Sequence, residues 1–314
     1  MNGSTALPPW LPTAPCTPGH CAAHPETGRD HRADRAGAVL AVARLTAGIG
    51  AVLLGLLLAP AAGLLPAATR LALVRFWTRA VVRAFGVRVR YEGEAGAVTG
   101  PLLVVANHVS WLDIPLLAAV LPGRMVAKAE VRHWPVLGTL AALGGTLFID
   151  RDRLRALPGT VRAMSGVLAG GGRVVVFPEG STWCGRARGR FRPAAFQAAL
   201  DSGCAVLPVR IDYRPTGAAA YVGDDPLGTS LWRVVSVRRM VADIRILDPI
   251  SSLRYPDRGA LAAAAQRAVD QGTVSQRAVS QRTVANESAN LPSLSVHQRA
   301  SSRPAAASSS RTPA

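Results

Sequence analysis

Lysine is nearly missing from this 314-residue chain: of 36 basic residues, Lys128 is the one lysine and the others are arginine. A lysine that survives in such a background marks a position worth attention. Acid is scarce as well, with 19 Asp and Glu leaving a net charge of +17, although 49% of the residues are hydrophobic. A disordered basic protein would be poor in apolar residues, so that class is disfavoured. From residue 38 to residue 90 there is no acidic residue at all, only seven arginines in the most apolar part of the chain. Duplex-binding proteins spread such charge over a soluble face. Here it flanks a hydrophobic run, as in proteins held at an anionic membrane surface, and nucleic acid is not expected as a partner. The first residues lack the basic start and early apolar stretch of a secretory signal.

Residues 1–37 are rich in Pro, Ala, Thr and small polar residues without helical or strand period, which predicts a disordered tail. Within it, Cys16, His20, Cys21 and His24 superficially suggest a metal site. Their spacing fits no standard finger, so they are read as incidental and no metal is expected. Leu45 to Pro66 is free of charge and long enough to cross a bilayer, but Gly48, Gly50, Gly55, Pro60 and Gly63 leave a kinked or half-inserted anchor as a rival to a full span. From Arg70 to Phe85, Arg70, Arg75, Arg79 and Arg83 alternate with Leu71, Val74, Phe76, Trp77, Val81 and Val82. That pattern makes a basic amphipathic helix suited to the headgroup layer, with a core-packing helix as the plainer alternative. The unopposed arginines place this region, residues 38–90, on the cytoplasmic side of the cell membrane.

Residues 91–250 alternate between strand-like and helix-like segments. Residues 101–106, 124–127, 146–149 and 173–177 are short, apolar and rich in branched side chains, as buried strands are. Residues 154–168 and 193–201 read as helices, and 204–213 and 234–247 add strands. The expected fold is α/β: a mixed, largely parallel sheet flanked by helices, preceded by the membrane-anchoring helical segment, with its site at the carboxyl ends of strands. Residues 251–314 contain a five-residue quasi-repeat beginning at Gln266, which matches neither a helix nor a strand face. They are read as a low-complexity, disordered tail that is dispensable for chemistry.

The strand-like run PLLVVA leads directly into Asn107-His108-Val109-Ser110-Trp111-Leu112-Asp113. An imidazole backed by a carboxylate is a general base, because the carboxylate fixes the tautomer and stabilises the imidazolium. Five positions on an ideal helix put the two side chains on different faces, so they meet only if His108 lies in the turn before the helix. A structural role is the alternative, with Ser110 or Asp113 capping that helix. Farther on, Val174 to Phe177 reads as a strand ending in Pro178-Glu179-Gly180-Ser181. The turn presents one carboxylate, Glu179, unless that residue is merely a solvated loop glutamate. Lys128 follows one strand and Arg151 another, cations suited to a phosphate.

In this order, these elements resemble the glycerolipid acyltransferases typified by 1-acyl-sn-glycerol-3-phosphate acyltransferase. The family's His-x4-Asp motif is matched by His108 and Asp113, and its lysine segment by VAKAE around Lys128. Its phosphate-associated segment is matched by Phe148 to Arg151, Phe-Pro-Glu-Gly by Phe177 to Gly180, and its late proline-bearing strand by Val206 to Val209. The resemblance covers about residues 70–250. It implies membrane-bound transfer of an acyl chain from acyl-CoA or acyl carrier protein to the free hydroxyl of a lysophospholipid, foremost 1-acyl-glycerol-3-phosphate to give phosphatidic acid. His108 and Asp113 would be catalytic; Lys128, Arg151, Glu179, Gly180 and Ser181 would bind substrate; no cofactor or metal would be needed. No G-x-S-x-G elbow is present, in agreement with direct transfer and against a lipase. One departure stands out: the family continues Phe-Pro-Glu-Gly-Thr-Arg, whereas this chain has Thr182 at the arginine's place. Either Arg186, Arg188 or Arg190 substitutes, or the acceptor lacks that phosphate, as a lyso-ornithine lipid does. A non-catalytic membrane-surface binding protein is the reading from another class, disfavoured because His108, Asp113 and Glu179 are all intact.

Overall fold

The computed structural model describes residues 13–22, 35–93, 100–150 and 153–272. The apolar run forms one long helix, α1 (Ala38–Gly63), with Pro60 inside it, followed by α2 (Ala67–Ala84). The glycines of α1 therefore do not break it. A Cβ on Gly48 would come 2.4 Å from the Phe85 ring and one on Gly55 2.2 Å from Trp77, so these two glycines are where α1 receives the Trp77 ring of α2 and the Phe85 ring at its C-cap. Trp77 Nε1 donates to the Ala51 carbonyl at 2.8 Å and fixes the crossing. Much of the hairpin's apolar surface stays outside: Val39, Leu57, Leu64 and Phe76 are each more than two thirds exposed. At the other end Arg44 donates to the carbonyls of Val235 and Val237, at the C-terminal end of helix α8 (Leu227–Val235). One of the seven arginines is thus a helix-end ligand rather than a headgroup contact.

The sheet that follows has eight strands: β1 (Val87–Glu92), β2 (Leu102–Ala106), β3 (Arg124–Lys128), β4 (Leu147–Ile149), β5 (Arg173–Val176), β6 (Ala205–Arg214), β7 (Met240–Ile246) and β8 (Ile250–Ser251). Their order is β1-β7-β6-β2-β5-β3-β4, with β8 paired to β6. Pairings from β6 through β2, β5 and β3 to β4 are parallel, β7 runs antiparallel to β6, and β1 is parallel to β7. This is the expected mixed, largely parallel α/β sheet. β2 sits centrally and is wholly buried. Its alternate residues feed two cores: Leu102, Val104 and Ala106 pack with α2, α8 and α3 (Asp113–Val120), while Leu103 and Val105 pack with α5 (Leu157–Ala169) and α6 (Phe196–Ser202).

Three expectations change. Residues 13–22, read as part of a disordered tail, are ordered, with Cys16 and Ala22 buried. Residues 258–272, read as low-complexity, form a further helix, α9, whose Leu261, Ala262, Ala265 and Val269 enter the second core; His24 and the remainder of the quasi-repeat lie outside the described residues. Residues 234–237, read as strand, close α8 instead, and the strand begins at Met240. The sequence reading also passed over α4 (Leu137–Leu143) and the short α7 (Thr216–Ala219).

Candidate active site

At the carboxyl end of β2 the chain leaves the sheet through Asn107, whose side-chain amide donates to the Ile211 carbonyl at 2.8 Å and accepts from the Ile211 amide at 2.9 Å. That double bond to β6 anchors the turn carrying His108. The turn ends at Asp113, the first residue of α3, so the two side chains meet as the spacing required. His108 Nδ1 lies 2.7 Å from Asp113 Oδ2. The same oxygen accepts the amides of Val109 at 2.7 Å and Ser110 at 2.9 Å, while Oδ1 accepts the Tyr213 hydroxyl. Asp113 is completely buried. Four donors converge on one carboxylate, which leaves little freedom to the ring it faces. Ser110 Oγ meanwhile accepts the Leu112 amide at 3.3 Å within the turn, and neither Ser110 nor Asp113 caps α3 through its side chain.

With Nδ1 committed to Asp113, Nε2 is the nitrogen of His108 available for proton transfer. The ring stacks on Phe177 with centroids 4.0 Å apart and 14° between planes. It lines a cleft of about 2180 Å³ that runs from the α1–α2 hairpin across the ends of β3, β4 and β5. Lys128, Gly180, Ser181 and Thr182 line the same cleft, together with Arg75, Arg124 and Arg173. Lys128 Nζ also sits 5.5 Å from the centroid of the Trp134 ring. Arg173 is held below its ordinary pKa by burial and, after that, by the charge of Arg75, which lines the same cleft. Arg75 Nε is buried without a hydrogen-bond partner among the described residues. Asp150 lines the cleft, but Arg151 lies outside the described residues.

Glu179 is placed differently from either sequence reading. It is 4% exposed and does not line the cleft that contains His108. Its Oε2 accepts the His108 amide at 2.8 Å and its Oε1 the Gly189 amide at 3.1 Å. The Trp183 amide donates to the His108 carbonyl at 2.8 Å, so both backbone polar groups of His108 are held by the Pro-Glu-Gly turn and its continuation. Glu179 is a positioning residue for His108 rather than a substrate contact. Burial raises its pKa to about 8, against the pull of the two amides. The arginines offered as substitutes for Thr182 are also committed elsewhere: Arg186 donates to the Cys21 carbonyl at 3.0 Å, Arg188 pairs with Asp270 at 2.8 Å, and Arg190 lines a separate, smaller cavity. Sequence reasoning missed Asn107, Tyr213, Arg75 and Arg173. Tyr213 offered a faint signal as a phenol in a strand otherwise apolar at the alternate positions Val209 and Ile211.

Comparisons with known proteins bear on the family to which this fold belongs. The family model described as Acyltransferase matches residues 88–212. A lyso-ornithine lipid O-acyltransferase of Pseudomonas aeruginosa is 41% identical over 238 residues, covering 70% of this chain and 88% of that protein. A 1-acyl-sn-glycerol-3-phosphate acyltransferase of Neisseria meningitidis is 34% identical, covering 61% and 76%. Among solved structures, the 1-acyl-sn-glycerophosphate acyltransferase of Thermotoga maritima superposes with a TM-score of 0.61 at 21% identity, covering 76% of this chain and 95% of that one.

Proposed function

The chain belongs to this acyltransferase family, and from that premise we propose that it transfers an acyl chain from an acyl thioester, of coenzyme A or acyl carrier protein, to the hydroxyl of a lyso-ornithine-type lipid at the cytoplasmic face of a membrane. The observation that carries the reaction is the bond of His108 Nδ1 to the buried Asp113, beside a cleft that opens onto the apolar hairpin. His108 Nε2 takes the proton of the acceptor hydroxyl as its oxygen attacks the thioester carbonyl, and returns it to the departing thiolate. Asp113 keeps Nδ1 protonated and stabilises the imidazolium. The oxyanion is met by donors lining the cleft, with the Gly180 to Ser181 backbone and Lys128 nearest in kind. The chemistry needs no cofactor beyond the donor.

The acceptor assignment rests on two supports. The position of the family's arginine holds Thr182, and none of Arg186, Arg188 and Arg190 lines the cleft in its stead. The likeness to the Pseudomonas lyso-ornithine lipid enzyme also extends over most of that protein. A second reading, 1-acyl-glycerol-3-phosphate, is favoured by the crowding of Arg75, Arg124, Lys128 and Arg173 on the cleft wall, which suits a phosphate monoester. The α1–α2 hairpin, with one helix long and apolar enough to cross a membrane, would bring the cleft to the lipid. Purified protein in vesicles, offered both acceptors and both thioesters and read by mass spectrometry, tests the assignment. Diacylated ornithine lipid is the expected product, product from the glycerophosphate alone moves the assignment to the second reading, and no transfer to either acceptor sinks both.

A further inference from the structure

Cys16 and Cys21 belong to the N-terminal stretch, and Cys184 lies just beyond the Pro-Glu-Gly turn. The fold brings all three together: their sulfur atoms lie within 4.8 Å of one another, with Cys16 and Cys184 each 4% exposed and Cys21 half-buried. We propose that Cys16, Cys21 and Cys184 bind one thiophilic divalent metal ion of the zinc class, which staples residues 13–22 to the loop that positions His108.

Tetrahedral zinc with bonds of about 2.3 Å separates its sulfur ligands by roughly 3.8 Å, so the three thiols need move inward by no more than about 1 Å. A disulfide needs a bond of about 2.05 Å and would use two sulfurs, leaving the third thiol unused; a metal uses all three. The backbone is also shaped for a sulfur ligand. Gly185, at φ +79°, turns the chain immediately after Cys184. On the other strand of the staple, the Cys21 amide donates to the Thr17 carbonyl at 2.9 Å, closing the turn that returns Cys21 toward Cys16. Arg186 reaches across to the Cys21 carbonyl and places a cation beside three thiolates and a dication that together sum to one negative charge. Among the described residues His20 is exposed and outside the cluster, and no fourth His, Cys, Asp or Glu joins the three cysteines.

The staple ends on the segment whose Trp183 amide holds the His108 carbonyl, so metal loss should loosen the catalytic turn as well as the N-terminal stretch. The test does not depend on which lipid is acylated. Full-length protein, purified in detergent with reductant and zinc, is assayed for metal by mass spectrometry, and the zinc is then exchanged for cobalt. About one zinc per chain is expected, and the cobalt form should show thiolate-to-metal charge-transfer absorption. Cys16→Ser and Cys184→Ser should lose the ion, whereas Cys204→Ser, in the core on the opposite face of the sheet, should keep it. Cys21→Ser, at the half-buried position, guards against misfolding of the other variants, and its retained melting transition with metal lost would support the site. Wild-type protein without zinc, zinc that survives Cys184→Ser, cobalt bound without charge-transfer bands, or an intact mass showing a disulfide between any two of the three would each overturn it.

Discussion

Asp113 receives His108, two backbone amides and Tyr213, and each donor has a separable effect. His108→Ala removes the base and should lower kcat by a factor of roughly 10² to 10⁴ while the protein stays folded, checked by steady-state kinetics beside a thermal melt. Wild-type turnover in that variant would disprove the mechanism. Asp113→Asn keeps the shape but presents an amide nitrogen or a neutral oxygen to Nδ1, and a loss near 10⁴ is expected from the wrong tautomer. Tyr213→Phe leaves one buried carboxylate oxygen short of a donor. It should cost about 1 to 3 kcal/mol of stability with a smaller effect on rate, a split that kinetics and melting would show together. Lys128→Met separates the two acceptors: losing a charge-assisted contact to a phosphate monoester should raise KM for 1-acyl-glycerol-3-phosphate by the equivalent of about 1.5 to 3 kcal/mol. KM for a lyso-ornithine lipid should change much less, and equal changes would remove Lys128 from headgroup recognition.

The helical hairpin depends on two glycines whose absent side chains make room for rings. A Cβ at Gly55 would meet a Trp77 ring already tethered to Ala51, so the ring has little freedom to swing away. Gly55→Leu should therefore part α1 from α2 and lower stability by about 1 to 3 kcal/mol, visible as a lower melting temperature in detergent. Gly50, with open space around its Cβ position, is the control and should tolerate alanine. Arg79 and Arg83 are exposed on α2, whereas Arg75 is half-buried against the cleft. Changing Arg79 and Arg83 together to Glu should weaken flotation with anionic vesicles, at about 1 kcal/mol per removed cation before the added repulsion, and the effect should fade in high salt. Binding that ignores both the substitutions and the salt would mean that the apolar hairpin alone docks the protein.

For the whole molecule, Glu179 writes a pH signature into stability. Its carboxyl is raised to about 8 in the folded state by burial, while an unfolded chain would ionise it near the usual carboxylate range. Between those values the folded state binds the extra proton, so stability falls as pH rises. The contribution is fully present below the unfolded value, is lost as pH climbs through 8, and amounts to a few kcal/mol on the order of one kcal/mol per pH unit. Melting temperatures across pH 5 to 9 should decline in the wild type and run flatter in Glu179→Gln. Parallel profiles would show that the residue carries no such linkage.

Sequence alone determined the class of the fold, since short branched-apolar runs between helical periods dictate buried strands with crossover helices whatever packs around them. It also set the condition for the His108 and Asp113 pairing, since the spacing lets them meet only at a turn entering a helix, and the folded chain supplied that turn. Tertiary structure decided what depends on partners far away in the chain. Glu179 looked like a substrate carboxylate until His108 and Gly189 took both its oxygens, and Arg186 and Arg188 looked like phosphate ligands until Cys21 and Asp270 engaged them. Tyr213 reached Asp113 from a strand 100 residues away. The tails show the same division. Low complexity and irregular period suggested disorder at both ends, yet burial on the sheet ordered residues 13–22 and 258–272, because a segment with little local preference still folds where a core offers its few apolar side chains a place.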